Sequence, residues 1–194
     1  MTKVSLITAP ALRAVTIPEF KDWARIDHTD DDGTVIPRLL DGAIEAAESF
    51  LWRRLITQTW DEYFDDFDDP LVLRYSPAQS VTTVTYYDSA GALQTLANTV
   101  YELGELNHRS VVRLKYNQDW PSVLDHEDQV IVRYICGYGL TSSTVPAEIR
   151  SAICIHAAWA YRNREGDVLP FPDTFRRYLR PFSLRGWVKI GAAK

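Results

Sequence analysis

No stretch constrains the fold of this chain more than Pro146 to Arg164, which is apolar nearly all round. Ile149, Ala152, Ile153, Ile155, Ala157, Ala158, Trp159 and Ala160 leave a helix there without a polar face. Such a helix lies in the middle of a domain, with other elements packed around it. Pro146 suits the first turn, and Glu148 faces the positive end of the helix dipole. Glu165-Gly166-Asp167 ends the pattern. The longest apolar run, Ala152 to Tyr161, is ten residues and is interrupted by His156. A bilayer span needs about 20 residues, so no membrane crossing is expected.

The elements around this helix can be read from periodicity. Thr16 is a candidate N-cap for a helix that opens at Ile17-Pro18-Glu19, with Phe20, Trp23 and Ala24 on one face. It stops at the polar run from Asp27 to Gly33. A longer helix follows over about Val35 to Arg53. Ile36, Leu40, Ala43, Ile44, Ala47 and Leu51 form its stripe, and Arg38, Asp41, Glu45 and Glu48 its polar side. From Ile56 the period changes. Thr57 to Trp60, Val81 to Tyr87, Val111 to Leu114 and Gln129 to Cys136 are β-prone, and Asp88-Ser89-Ala90-Gly91 reads as a hairpin turn. Strands joined by turns, without helices between them, make an antiparallel unit. A short helix is expected at about Asp173 to Leu179, stopped by Pro181.

The order helices, sheet, helices predicts an α+β fold. The simplest form is a small helical bundle with an antiparallel β-unit inserted between its second and third helices. The expected boundaries are 1–56 with 138–181 for the helical core, 57–137 for the inserted β-unit and 182–194 for an extended C-terminal tail.

A chain of 194 residues buries roughly 70% of the surface it exposes unfolded, so it needs no disulfide or metal to fold. Its 46% hydrophobic and 24% charged residues exclude a disordered or collagen-like chain. Met1 to Ile17 has no continuous apolar core, so no secretory signal is expected and the chain should stay in the compartment that made it. Cys136 and Cys154 then read as unpaired thiols in a reducing compartment.

No constellation of catalytic or metal-ligating residues emerges. Gly137-Tyr138-Gly139-Leu140-Thr141-Ser142 imitates a dinucleotide-binding turn, but Ser142 replaces the third glycine and the preceding sheet is antiparallel. Around Asp30-Asp31-Asp32-Gly33, a calcium loop would place His28 and Leu39 at ligand positions. That stretch is better read as a solvated linker. His28, His108, His126 and His156 lack zinc-site spacing. His156 is expected as a hydrogen-bonded histidine of the core. No catalytic residue, cofactor or metal site is assigned.

Charge is distributed unevenly. Residues 1–161 hold 13 basic and 23 acidic side chains, a net of −10, and residues 162–194 hold 8 and 3, a net of +5. Within the body, Asp61, Glu62, Asp65, Asp66, Asp68 and Asp69 fall in nine residues. They read either as a solvated strand edge and loop or as an acidic surface that meets a basic partner or repels DNA. The C-terminal segment has the opposite sign. Arg176, Arg177, Arg180, Arg185 and Lys189 alternate with Phe182, Leu184, Trp187, Val188 and Ile190. Trp and Arg are enriched at binding hot spots, so these ten residues are the expected docking segment.

Several pieces together resemble a known family. They are Arg53 to Trp60, Ser80 to Asp88 with Gly91, Asp119-Trp120-Pro121, Val132-Arg133-Tyr134 with Gly137-Tyr138-Gly139, Val145 to Ile153, Tyr161 to Glu165 and Leu179 to Phe182. In this order the chain resembles the head–tail connector, or head-completion adaptor, proteins of tailed bacteriophages and gene transfer agents, from about Val15 to Phe182. The resemblance implies a structural role without enzymatic activity. It implies a twelve-fold ring beneath the portal that extends the DNA channel and joins head to tail. The implied partners are the portal protein, neighbouring adaptor subunits and a tail or stopper protein, with DNA passing through unbound. The implied location is the virion neck, after assembly in the host bacterial cytoplasm. Two other readings stay open: another neck component, such as a stopper or tail terminator, and a small enzyme with a carboxylate site.

Overall fold

Two periodicities build two units of the chain. The computed structural model describes residues 3–29, 31–163 and 171–184. Among these, four α-helices and two antiparallel sheets make the fold α+β. One unit combines Thr57–Tyr138 with the N-terminal strand, and the other combines Ala11–Ile56 with the chain from Gly139 onward.

The helical unit holds α1 (Ile17–Ala24), α2 (Val35–Leu51), α3 (Ala147–Arg162) and α4 (Asp173–Leu179). Thr16 caps α1 with a reciprocal box: its Oγ1 accepts from the Glu19 amide, and its own amide donates to Glu19 Oε2 at 2.8 Å. Phe20, Ile36, Leu40, Ala43, Ala47 and Leu51 are buried as the stripes require, whereas Ile44 is half-buried and Trp23 is exposed. α2 stops at Leu51 because Trp52 turns into the left-handed region at φ 57°, two residues before the expected end at Arg53. The α3 helix packs on α1, α2 and α4, and no residue from Ile149 to Tyr161 is exposed. Its expected last turn at Arg164 lies outside the described residues.

The β-unit is two sheets over one core. Its strands are β1 (Lys3–Thr8), β2 (Gln58–Phe64), β3 (Leu71–Val72), β4 (Ala78–Tyr87), β5 (Leu93–Thr95), β6 (Tyr101–Leu106), β7 (Arg109–Leu114) and β8 (Val130–Cys136). The larger sheet runs β1-β2-β8-β4-β5 and the smaller β3-β7-β6. Val130, Val132, Tyr134 and Cys136 alternate inward along β8 and join Leu71 and Val112 from the smaller sheet in one cluster.

Two boundaries differ from expectation. Residues 3–8 were assigned to the helical core 1–56, yet β1 pairs antiparallel with β2, Val4 opposite Glu62 and Leu6 opposite Trp60. Six residues, of which Val4, Ile7 and Thr8 are β-prone, find a strand far away in sequence, which periodicity alone does not reveal. The extended tail also does not begin at residue 182. Arg180–Phe182 forms a 3-10 turn, and the chain stays bonded to its own unit through Leu184.

Candidate docking surfaces

The described part of the C-terminal segment is tied to its own unit up to Leu184. Arg53 Nε donates to the Phe182 carbonyl at 2.8 Å. Ser183 Oγ donates to the Phe50 carbonyl at 3.0 Å, and the Leu184 amide donates to the Leu51 carbonyl at 3.0 Å. The last carbonyls of a helix have no partner within the helix, so residues 183 and 184 act as a cap on α2. Leu184 is 1% exposed. It was expected to face a partner and instead belongs to the core of its own unit. Phe182 is half-buried, whereas Arg176, Arg177 and Arg180 are exposed. Arg185, Trp187, Val188, Lys189 and Ile190 lie outside the described residues.

The acidic stretch divides into two parts. Asp61 and Glu62 were expected on an acidic surface, but they are 5% and 0% exposed. They sit on β2, where one residue faces each side of the sheet. Asp61 takes Arg133 in a bidentate pair, with both bonds at 2.7 Å. Glu62 Oε2 accepts from the Tyr134 hydroxyl at 3.1 Å and from the Arg74 amide at 2.8 Å. Burial, reinforced by the Glu62 charge, pushes the Tyr134 pKa well up, so the hydroxyl remains a donor. These two acids build the sheet. Asp65, Asp66, Asp68 and Asp69 lie beyond the strand end and are exposed. Phe67 anchors their loop by stacking on Trp120 at 4.6 Å and meeting Tyr86 edge-on at 5.7 Å.

Other candidates resolve into structure. Gly137 adopts φ 124°, and a Cβ on Gly139 would meet Thr144 Oγ1 at 2.6 Å. Both glycines therefore serve a tight turn. Asp32 pairs with Lys21, and Asp31 accepts from the Tyr161 hydroxyl. Both cysteines are buried and free, and burial raises Cys154 to about 11. Among the described residues, no group of His, Cys, Asp and Glu has the arrangement of a metal site.

Burial lowers the pKa of His156 below its ordinary 6.5. Its ring sits edge-on against Phe171 at 4.8 Å and Phe175 at 5.2 Å, and its buried Nδ1 has no hydrogen-bond partner among the described residues. Below pH 6.5 the unfolded chain takes up a proton that the folded chain resists, so stability falls with pH there. Urea midpoints measured across that window should fall less steeply for His156→Phe than for the parent. Equal slopes would place the effect elsewhere.

Two residues escaped the sequence reading. Arg53 holds Phe182 across 129 positions, and no local pattern signals such a bond. Tyr116, at 98% exposure, stands free beside the turn residue Asn117 at φ 62°. An aromatic within Lys115-Tyr116-Asn117-Gln118 was its only signal.

No family model and no curated protein matches the chain. Solved structures do. A chain in the neck of an empty gene transfer agent particle, computed with C6 symmetry, is 21% identical with a TM-score of 0.79, over 93% of this chain and 95% of that one. A chain in the virion of a native gene transfer agent particle is 20% identical with a TM-score of 0.77, over 93% and 94%. A chain in the neck of a native particle, computed with C12 symmetry, is 20% identical with a TM-score of 0.74, over 93% and 94%. The chain shares its fold with these proteins over nearly its whole length.

Proposed function

We propose that this chain is a structural protein of a virion neck: the head-to-tail adaptor that forms a ring beneath the portal, extends the DNA channel and joins head to tail. The observation that carries this reading is the fold likeness to gene transfer agent neck chains over 93% of this chain. One of those necks was computed with C12 symmetry and another with C6. A twelve-fold ring is compatible with both. The portal, neighbouring copies and a tail or stopper protein are the partners in this reading, and the segment from Arg176 onward is the docking element.

A ring requires a heterologous interface, in which one patch meets a different patch on the next copy. Each such contact is weak alone and gains from closure on a template. The purified chain is therefore expected to be largely monomeric at micromolar concentration and physiological salt, and to form a ring on portal. Native mass measurement with and without portal tests this. A stable dimer indifferent to portal would contradict it.

A channel wall must let a polyanion pass without holding it. Phosphate binding grows with each Lys or Arg that displaces counterions, and residues 1–161 carry a net of −10. The chain ended after Leu184 keeps 18 basic and 26 acidic residues, a net of −8, and is expected to show no measurable affinity for duplex DNA at physiological salt. Fluorescence anisotropy with a labelled duplex checks this, and tight, salt-sensitive binding by that truncated chain would sink the channel-wall reading.

A further inference from the structure

Five described arginines meet a carboxylate: Arg13 meets Asp41, Arg54 meets Glu48, Arg113 meets Glu102, Arg133 meets Asp61 and Arg150 meets Glu19. On α4 and its C-cap, three arginines lie close together without one. Arg176, Arg177 and Arg180 are exposed, and none has a carboxylate partner among the described residues. Spacings of three and four put them on one helix face, while Phe175 and Leu179 are buried and anchor the other. The surface is rigid, basic and unpartnered.

The β-unit presents the complement. Asp65, Asp66, Asp68 and Asp69 are exposed on the loop between β2 and β3, and none makes an ion pair among the described residues. The loop is held in place: Phe67 stacks on Trp120, and Asp65 Oδ1 accepts from the Asp128 amide at 3.0 Å. Both surfaces are anchored before they meet a partner, which lowers the entropy cost of pairing.

We infer that the arginine face of α4 in one copy docks on the Asp65–Asp69 loop of the next. This rests on the ring reading above and names the contact that closes it. In a ring the pairing is head-to-tail, with the helix of each copy on the loop of the next. Phosphates or an acidic portal surface would also attract the arginines, but only a second copy explains both unpaired patches with one contact. Complementary charge fixes register and suppresses wrong partners, and its strength falls as salt screens it.

The test is a charge swap in the full chain. One variant carries Asp66→Lys with Asp68→Lys, and the other carries Arg176→Glu with Arg177→Glu. All four positions are exposed, and unchanged thermal unfolding verifies that each variant folds. Sedimentation velocity is run at low salt and the highest soluble concentration. The parent is expected to self-associate, and each variant alone to lose about a hundredfold or more in association constant. An equimolar mixture should regain it, because every contact between unlike copies again pairs opposite charges.

Failure of the mixture to recover, or no effect of either swap, overturns the inference. So does absence of self-association in the parent under these conditions. If Arg176→Glu with Arg177→Glu blocks ring formation on portal and the partner variant does not restore it, the arginines face the portal and the inference falls. Charge-paired association that never yields a ring on portal sinks the adaptor reading alone. A ring on portal that survives both swaps sinks this inference alone.

Discussion

Leu184→Ala is expected to lower the stability of the chain by about 2–3 kcal/mol, whereas ending the chain after Leu184 should leave it within about 0.5 kcal/mol. Leu184 is 1% exposed, and its amide completes the cap on α2 by bonding Leu51 at 3.0 Å. Truncating the side chain removes buried apolar surface and leaves a void beside α2. Leu184 lies at the end of α2 and not in the middle of the helical core, so the site can partly collapse, which holds the loss toward the lower part of the range for buried leucines. Urea unfolding of the two variants separates the cases. Equal stability of parent and Leu184→Ala would mean that residues 183 and 184 do not hold the segment down.

Trp187→Ala is expected to do the reverse: stability unchanged, attachment to portal lost. This residue lies outside the described part of the chain, and its role is argued from type and neighbours. A tryptophan flanked by Arg185 and Lys189 combines a large apolar surface with positive charge. A hot-spot residue of that kind contributes about 2 kcal/mol or more per site, roughly thirtyfold in affinity. Repeated around a ring, that loss compounds through avidity. Attachment is measured by co-sedimentation with portal. Retained attachment of Trp187→Ala would make the residue dispensable for docking.

The helices were legible because their signals are local. Thr16 with Glu19 marks the start of α1, and the mostly apolar run from Ile149 to Ala160 called for a central helix. β8 was legible for the same reason, since Val130, Val132, Tyr134 and Cys136 alternate without interruption. β1 was not, because Lys3–Thr8 becomes a strand only by pairing with residues more than fifty positions away. β3 has two residues and carries no periodicity at all. The acidic stretch shows why composition misleads. Asp61 and Glu62 look like Asp65 and Asp66 in sequence, yet their strand positions turn them toward Arg133 and Tyr134. In the C-terminal segment, Leu184 reads like its apolar neighbours, and the partner that holds it, Leu51 of α2, is 133 positions earlier.

The account stands on the assembly of this chain at a portal. The most direct measurement is electron microscopy of the full chain mixed with portal rings, with the portal alone as reference. The account predicts one added layer of density on one face of the portal, with twelve equivalent copies enclosing an open axial channel. Portal rings that carry no added layer, or copies bound singly around the rim with the axis closed, would contradict it.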